Sequence, residues 1–252
     1  MIDNIFEIQY QRWLKNTNKL RNSIPHIIHH IWLGSELPDK YTPFIDSFKK
    51  LNPDFEFILW DEKKILSIPG FRFEKEFKRT SNYGTKSDIA RYEILRVYGG
   101  FYFDTDFECI KPLDEIADKS SFIAGLQFSD RPEFGNAMIA SIPNHFLINK
   151  ICSQLKPTST TDIMEIINTT GPGFLTKIFK ENLLNLDETV AFVPSEYFYA
   201  VPNFEASNII EVKQKYITEK TYGIHYWDQS WFQNDIYYRI CRKLKRFFNK
   251  LF

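Results

Sequence analysis

Asp104 and Asp106 are the residues of this chain best suited to chemistry. They close the run Phe101-Tyr102-Phe103-Asp104-Thr105-Asp106. Three aromatics in a row read as a strand buried on both faces, and the period of two puts the carboxylates that end it on one face. Adjacent like charges at an apolar strand tip repel unless a cation lies between them. A hard divalent metal, which takes oxygen ligands and bridges to phosphate, answers that need. Asp88 and Arg91 stand three apart, neighbours on one helical face. The predicted helix covers residues 87–98, is almost wholly apolar through Ile89, Ala90, Ile94, Leu95 and Val97, and is stopped by Gly99-Gly100. Near its N-terminus, free N–H groups and the dipole favour diphosphates and sugar hydroxyls. A purely local alternative has Thr85 capping the helix with Asp88 as its reciprocal partner and Arg91 pairing Asp88. The acidic strand tip sixteen residues after Asp88 tilts the reading toward a site.

Those residues need a scaffold that brings strand ends together. A helix is predicted over residues 1–22, with Ile5, Ile8 and Trp13 on one side. Strand 27–33 ends at Gly34. Thr42 then reads as an N-cap, with Pro43 at the first helical position and Phe44, Ile45, Phe48 and Leu51 at helical spacing. Strand 55–60 follows, so the segment is a βαβ unit with parallel strands and a right-handed crossover. Strand 101–106, strand 122–126, helix 144–155 and strands 189–193 and 223–227 extend an α/β doubly wound arrangement. Ligands of open α/β sheets sit beyond the C-terminal strand ends, which lets Trp32-Leu33-Gly34 and Asp104-Thr105-Asp106 share one cleft.

Bulk properties set bounds. A chain of 252 residues with 43% hydrophobic residues and no Gly/Ser/Pro-rich linker suits one domain, assigned to residues 1–235. Thirty-two basic and thirty-two acidic residues cancel, against a general nucleic-acid binder. Cys109, Cys152 and Cys241 lack metal-site spacing and fit a reducing compartment. The acidic start Met1-Ile2-Asp3-Asn4 is unlike a secretory signal, and no run approaches the roughly 20 apolar residues of a membrane span. The expectation is a soluble, cytoplasmic protein. Residues 236–252 carry six basic residues and no acid, with Ile236, Ile240, Leu244, Phe247 and Leu251 on one helical stripe. Such a basic amphipathic tail suits either the inner face of an anionic membrane or packing on the domain.

The block Ser87-Asp88-Ile89-Ala90-Arg91-Tyr92 followed by Tyr98-Gly99-Gly100-Phe101-Tyr102-Phe103-Asp104-Thr105-Asp106 resembles the signature of glycosyltransferase family 32. That family holds DXD-motif sugar transferases of capsular-polysaccharide synthesis and fungal initiating mannosyltransferases, with the glucosylating bacterial toxins as distant relatives. Residues 24–34 resemble its opening strand, Thr170-Gly171-Pro172-Gly173 its Thr-Gly-Pro turn, and residues 221–231 its closing His-x-Trp-x-x-Ser-Trp box. The resemblance implies a GT-A fold, Rossmann-like with a mostly parallel sheet. It implies transfer, with retention, from a nucleotide-sugar (a UDP-sugar first, GDP-mannose as the alternative) to a glycan acceptor, often lipid-linked, in surface polysaccharide or lipopolysaccharide synthesis.

By the same resemblance Asp106 is a direct metal ligand, Asp104 a ligand through water or a contact to the ribose, and His225 a third ligand. An imidazole in the set favours Mn²⁺ over Mg²⁺. Donor-binding residues are Ile31, Trp32 as the base platform, Asp88 for sugar hydroxyls, Arg91 for the diphosphate, Asp104, Asn136 near the sugar, and Ser230 and Trp231 on a loop that excludes water. Catalytic roles fall to Asp88, Arg91, Asp104 and Asp106. His26, His29 and His30 read as solvated or capping. No second carboxylate suits a nucleophile, so front-side displacement assisted by the leaving phosphate is expected. Two other readings differ in class. A haloacid-dehalogenase-type phosphatase also ends a strand in Asp-x-Asp, but this chain has Glu108 where that motif carries Thr or Val. A non-catalytic sugar-nucleotide-binding protein would have little need of Asp104, Asp106 and Arg91 together.

Overall fold

The computed structural model describes residues 2–128 and 132–228. Its elements run α1 (Ile2–Lys15), β1 (Ile27–Ile31), α2 (Thr42–Leu51), β2 (Glu56–Trp60), α3 (Glu62–Leu66), α4 (Glu74–Arg79), α5 (Tyr83–Tyr98), β3 (Gly100–Phe103), β4 (Phe107–Cys109), α6 (Asp114–Asp118), β5 (Phe122–Leu126), β6 (Phe134–Ser141), α7 (Phe146–Gln154), α8 (Ile163–Thr169), α9 (Pro172–Asn182), β7 (Val190–Val193), α10 (Ile209–Val212) and β8 (Gly223–His225). A six-stranded sheet has the order β2-β1-β3-β6-β5-β7. β1 is parallel to β2 and β3, and β5 is parallel to β7. β6 alone runs against its neighbours β3 and β5. The predicted βαβ unit is present as β1-α2-β2.

Strand alternation splits the core into two layers. Ile31, Tyr102, Ala124, Ile139 and Phe192 face one side with α5, α7 and α9. Ile28, Phe101, Phe103, Met138 and Ala191 face the other with α2 and the β4–β8 ribbon. Helices on both faces of a mostly parallel sheet make the predicted α/β architecture of the GT-A type.

Several boundaries differ from expectation. α1 ends at Lys15 instead of residue 22, because the Asn16 side chain accepts from the Asn18 N–H and starts a turn. Its inward face is Phe6, Gln9, Tyr10 and Trp13, while Ile8 is exposed. Thr42 lies inside α2, whose N-cap is Tyr41. α5 begins four residues before Ser87, and its cap is Asn82, whose Oδ1 accepts from the Thr85 N–H at 3.0 Å. Thr85 is therefore not the cap. β3 stops at Phe103, leaving Asp104-Thr105-Asp106 in a tight turn closed by Phe107 N–H to the Asp104 carbonyl. Strand 223–227 shortens to β8 and pairs antiparallel with β4, outside the main sheet. β6, central to the sheet, escaped the sequence reading.

The α5–β3 junction is the point where glycine is required. Gly99 and Gly100 have φ of +65° and +87°, and a Cβ at either would meet backbone atoms within 2.8 Å. This reversal drops the buried β3 directly beside the helix that carries Asp88 and Arg91.

His29 and His30 are buried instead of solvated. The His29 Nε2–H donates to the Gly99 carbonyl (2.8 Å) and its Nδ1 accepts from Trp60 Nε1–H (3.1 Å). His30 Nδ1–H donates to the Phe103 carbonyl at 2.9 Å. Burial pushes both imidazoles down to about 4, so they serve as neutral pins between strands. Cys109 and Cys152 are buried free thiols. Ser230, Trp231, Cys241 and the basic tail 236–252 lie outside the described residues. Among those described, no helix is long and apolar enough to cross a membrane.

Candidate functional site

A cleft of about 610 Å³ opens at the C-terminal ends of β1 and β3, where the topology places ligands. Its floor holds Asp104, Asp106 and His225, each offering a ligand atom within 4.8 Å of the others. His225 comes from β8, which β4 holds against the tip of β3, with Phe107 directly opposite His225 and stacked on its ring at 4.9 Å. Asp106 Oδ2 accepts from the Asp228 N–H (2.7 Å), and its Oδ1 faces His225 Nε2 at 3.3 Å. Burial alone would raise the Asp106 carboxyl. His225 and the N–H donors around Asp106 outweigh that and hold it below its ordinary value. The Asp104 carboxyl is raised, chiefly by burial, with Arg91 pulling the other way and the Asp106 charge pushing it up.

The donor set suits a metal on chemical grounds. Two carboxylates and an imidazole converge on one point, and the Asp104 side chain, which lines the cleft, is 31% exposed. Residues Asp104, Asp106 and His225 would hold a divalent ion that accepts mixed oxygen and nitrogen ligands.

Behind this floor lies a closed network. Asp88 Oδ1 accepts from Asn136 Nδ2–H and Oδ2 from Thr170 Oγ–H, both at 2.8 Å. The Arg91 guanidinium sits 3.3 Å from Asp88 and 3.3 Å from Asp104, donates to the carbonyls of Ser87 and Asn136, and lies 4.5 Å over the Tyr102 ring. Tyr102 O–H donates to Asp104 Oδ1 at 2.5 Å. Burial pushes the Asp88 carboxyl up to about 7 despite Arg91.

Every described residue assigned from sequence reaches one cleft: Ile31, Trp32, Asp88, Arg91, Asp104, Asp106, Asn136 and His225 all line it. Trp32 is half-buried there, its ring 4.8 Å from Tyr41 and its Nε1–H donating to Ser35. Arg91 is spent on protein partners, so its visible work is to align Asp104 and Asp88. Sequence reasoning missed Tyr102, Thr170 as the Asp88 partner, and Asp228. Tyr102 was discoverable, since it stands two residues before Asp104 and shares its face. The Asp228 side chain joins Lys40 (2.6 Å) and Tyr41, which ties the segment after β8 to the turn before α2. Trp227, just before it, is held at φ +55° with Nε1–H on the Val201 carbonyl.

Residues 38–123 match the family described as the glycosyltransferase sugar-binding region containing the DXD motif. An inositol phosphoceramide mannosyltransferase of Schizosaccharomyces pombe is 31% identical over 195 residues, 74% of this chain and 60% of that protein. An uncharacterized glycosyltransferase of Acanthamoeba polyphaga mimivirus is 28% identical over 70% of this chain and 73% of its own length. A mannosyl phosphorylinositol ceramide synthase of Saccharomyces cerevisiae is 29% identical over 63% of this chain but only 42% of its own length. The chain thus spans 60% or less of these two fungal relatives. Among solved structures, the catalytic domain of the Clostridium novyi alpha-toxin superposes with a TM-score of 0.54 at 10% identity, covering 96% of this chain and 85% of that one. The chain carries this DXD-containing sugar-binding region on a fold of the GT-A type.

Proposed function

From a DXD-containing glycosyltransferase region whose acidic turn floors the cleft, we propose that the chain transfers a sugar from a nucleotide-sugar to an acceptor hydroxyl with a divalent cation. The observation that carries this reading is the convergence of Asp104, Asp106 and His225 within 4.8 Å at the cleft floor. The acceptor oxygen forms a bond to the anomeric carbon and the bond from that carbon to the distal phosphate oxygen breaks. The hydroxyl proton goes to the departing diphosphate, in keeping with front-side displacement and retention. A bound divalent ion, Mn²⁺ before Mg²⁺ because of the imidazole, supplies Lewis-acid neutralisation of the leaving diphosphate.

The chain's own residues do the positioning. Tyr102 and Arg91 fix the Asp104 carboxylate, and the Asp228 N–H and His225 fix that of Asp106. Trp32, braced on Tyr41, offers a face to the base. Asp88 and Asn136, locked to each other, present polar atoms to the sugar. The names of the fungal relatives favour mannose as the sugar and a lipid-borne acceptor over capsule synthesis, so GDP-mannose is the donor to try first. The test is a panel of GDP-mannose, UDP-glucose and UDP-galactose with Mn²⁺, reading released nucleoside diphosphate. GDP release from GDP-mannose that vanishes in EDTA supports the reading, and full activity in EDTA overturns the role of the metal.

A further inference from the structure

Phe128 and Phe204 are the two exposed phenylalanines among the described residues, 53% and 59% accessible. They lie against each other as a T-shaped pair, with ring centroids 5.9 Å apart and planes at 75°.

 Even in this contact each residue keeps more than half of its surface accessible, which leaves apolar ring surface for a ligand. Each ring directly follows a cleft-lining residue: Gln127 precedes Phe128 and Asn203 precedes Phe204. Gln127 is bound across the β5–β6 hairpin to Glu133, backbone N–H to carbonyl at 2.9 Å and Nε2–H to Oε2 at 2.6 Å. Glu133 precedes Asn136 by three residues, about 10 Å along an extended chain, so the aromatic pair lies beyond the sugar-facing end of the cleft. The cleft-lining cations are Lys40 and Arg91, both engaged elsewhere, on Asp228 and on the Asp88–Asp104 pair. An apolar face beside a carboxylate and two amides, with no free cation among the lining residues, suits an uncharged polyhydroxylated ring. Its C–H face packs on an aromatic ring while its hydroxyls reach Glu133, Gln127 and Asn203. A phosphate group would meet the Glu133 charge there.

We propose that Phe128 and Phe204, with Gln127, Glu133 and Asn203, form the acceptor subsite and take a neutral sugar or cyclitol ring. This deepens the glycosyltransferase reading and rests on it for the word acceptor, but the binding itself is read separately. The probes are butyl α-D-mannopyranoside and myo-inositol in saturation-transfer NMR, with GDP and diamagnetic Mg²⁺ present. Wild-type protein should transfer saturation to ring protons of at least one probe. Phe128→Ala/Phe204→Ala should lower that transfer fivefold or more, with Phe204→Trp retaining it, while GDP affinity measured by calorimetry stays within twofold. Transfer confined to the butyl protons, equal transfer in the double variant, or none with either probe overturns the proposal. Failure to release GDP from GDP-mannose would instead count against the glycosyltransferase reading, and leaves the ring-binding result standing.

Discussion

Two carboxylate clusters share Arg91, and they are built to opposite ends. Around Asp88 the chain supplies everything: one oxygen takes Asn136, the other Thr170, and the charge is met by Arg91. The Asp88 side chain is 7% exposed. Around Asp104, Asp106 and His225 the supply stops short, since three ligand atoms crowd within 4.8 Å and the Asp104 side chain is 31% exposed. A buried charge with every partner in place holds geometry, because changing any member strands another. Two carboxylates left side by side facing a cleft still repel, and a cation from solution would relieve that repulsion. The first cluster is the frame and the second is the socket.

The socket gives the largest expected effect. Asp106→Asn keeps an oxygen to accept from the Asp228 N–H, so the fold should hold, but a neutral amide cannot offset a cation. Lewis-acid stabilisation is worth several kcal/mol, so nucleotide-sugar turnover should fall by about a hundredfold or more. Turnover within tenfold of wild type, with unchanged metal dependence, would break the contrast. The frame should fail differently. Arg91→Met leaves Asp88 and Asp104 without their cation, and removal of one partner from a buried pair costs about 3–5 kcal/mol. Urea unfolding should show that loss with or without metal, whereas a purely catalytic Arg91 would leave the midpoint where it was.

The tryptophans repeat the contrast on a smaller scale. Trp60 is 5% exposed and its Nε1–H is committed to His29 deep between β1 and β2. Trp32 is only half-buried and faces the cleft. Trp32→Ala should weaken nucleoside diphosphate binding by about 1–3 kcal/mol in calorimetry, with little change in unfolding midpoint. The reverse pattern would move Trp32 into the frame with Trp60.

The socket was more legible in sequence than the frame. Asp104 and Asp106 are consecutive same-face positions at an aromatic strand tip, a pattern local enough to read. The Asp88 network joins residues far apart in the chain, and only the fold shows that Thr170 and Asn136 close on it. β6 was missed because Phe134-Gly135-Asn136-Ala137-Met138-Ile139-Ala140-Ser141 has neither period-two alternation nor β-branched enrichment. Its small residues follow from packing. A Cβ on Gly135 would sit 2.3 Å from the Tyr199 ring, so the strand is shaped by a neighbour more than sixty residues away. The histidine motif was misjudged for a related reason, since strand position says which face a side chain takes but not how deeply the face is covered. The three-residue shortening of the strand at 101–106 is also tertiary, because the turn at Asp104 is set by β6, whose Ala137 carbonyl accepts from the Asp104 N–H.

The smallest expected effect tests whether the frame is charged. Burial holds His29, His30 and His145 down to about 4, so between that value and about 6.5 the unfolded chain binds protons there that the folded chain refuses. Their contribution to stability is present at neutral pH and lost as pH falls through that window. Asp88 has the opposite sign: raised to about 7 by burial, it holds a proton in the folded chain that an unfolded carboxyl has released. Its contribution is full below about 4 and lost as pH rises toward 7, and the raised Asp104 acts in the same sense. Arg91 and Asp104 are the charges that face Asp88, with Tyr92, Thr170 and Asn136 as its uncharged neighbours. Three groups against two leave the protein less stable on acidification. Asp88→Asn removes one of the two opposing groups, so the acid loss should steepen by up to about 1.4 kcal/mol per pH unit. Urea unfolding at pH 4.5, 5.5 and 6.5 in EDTA reads that slope. An unchanged slope would mean that Arg91 keeps Asp88 ionised throughout, which would make the frame a permanent ion pair instead of a proton-holding one.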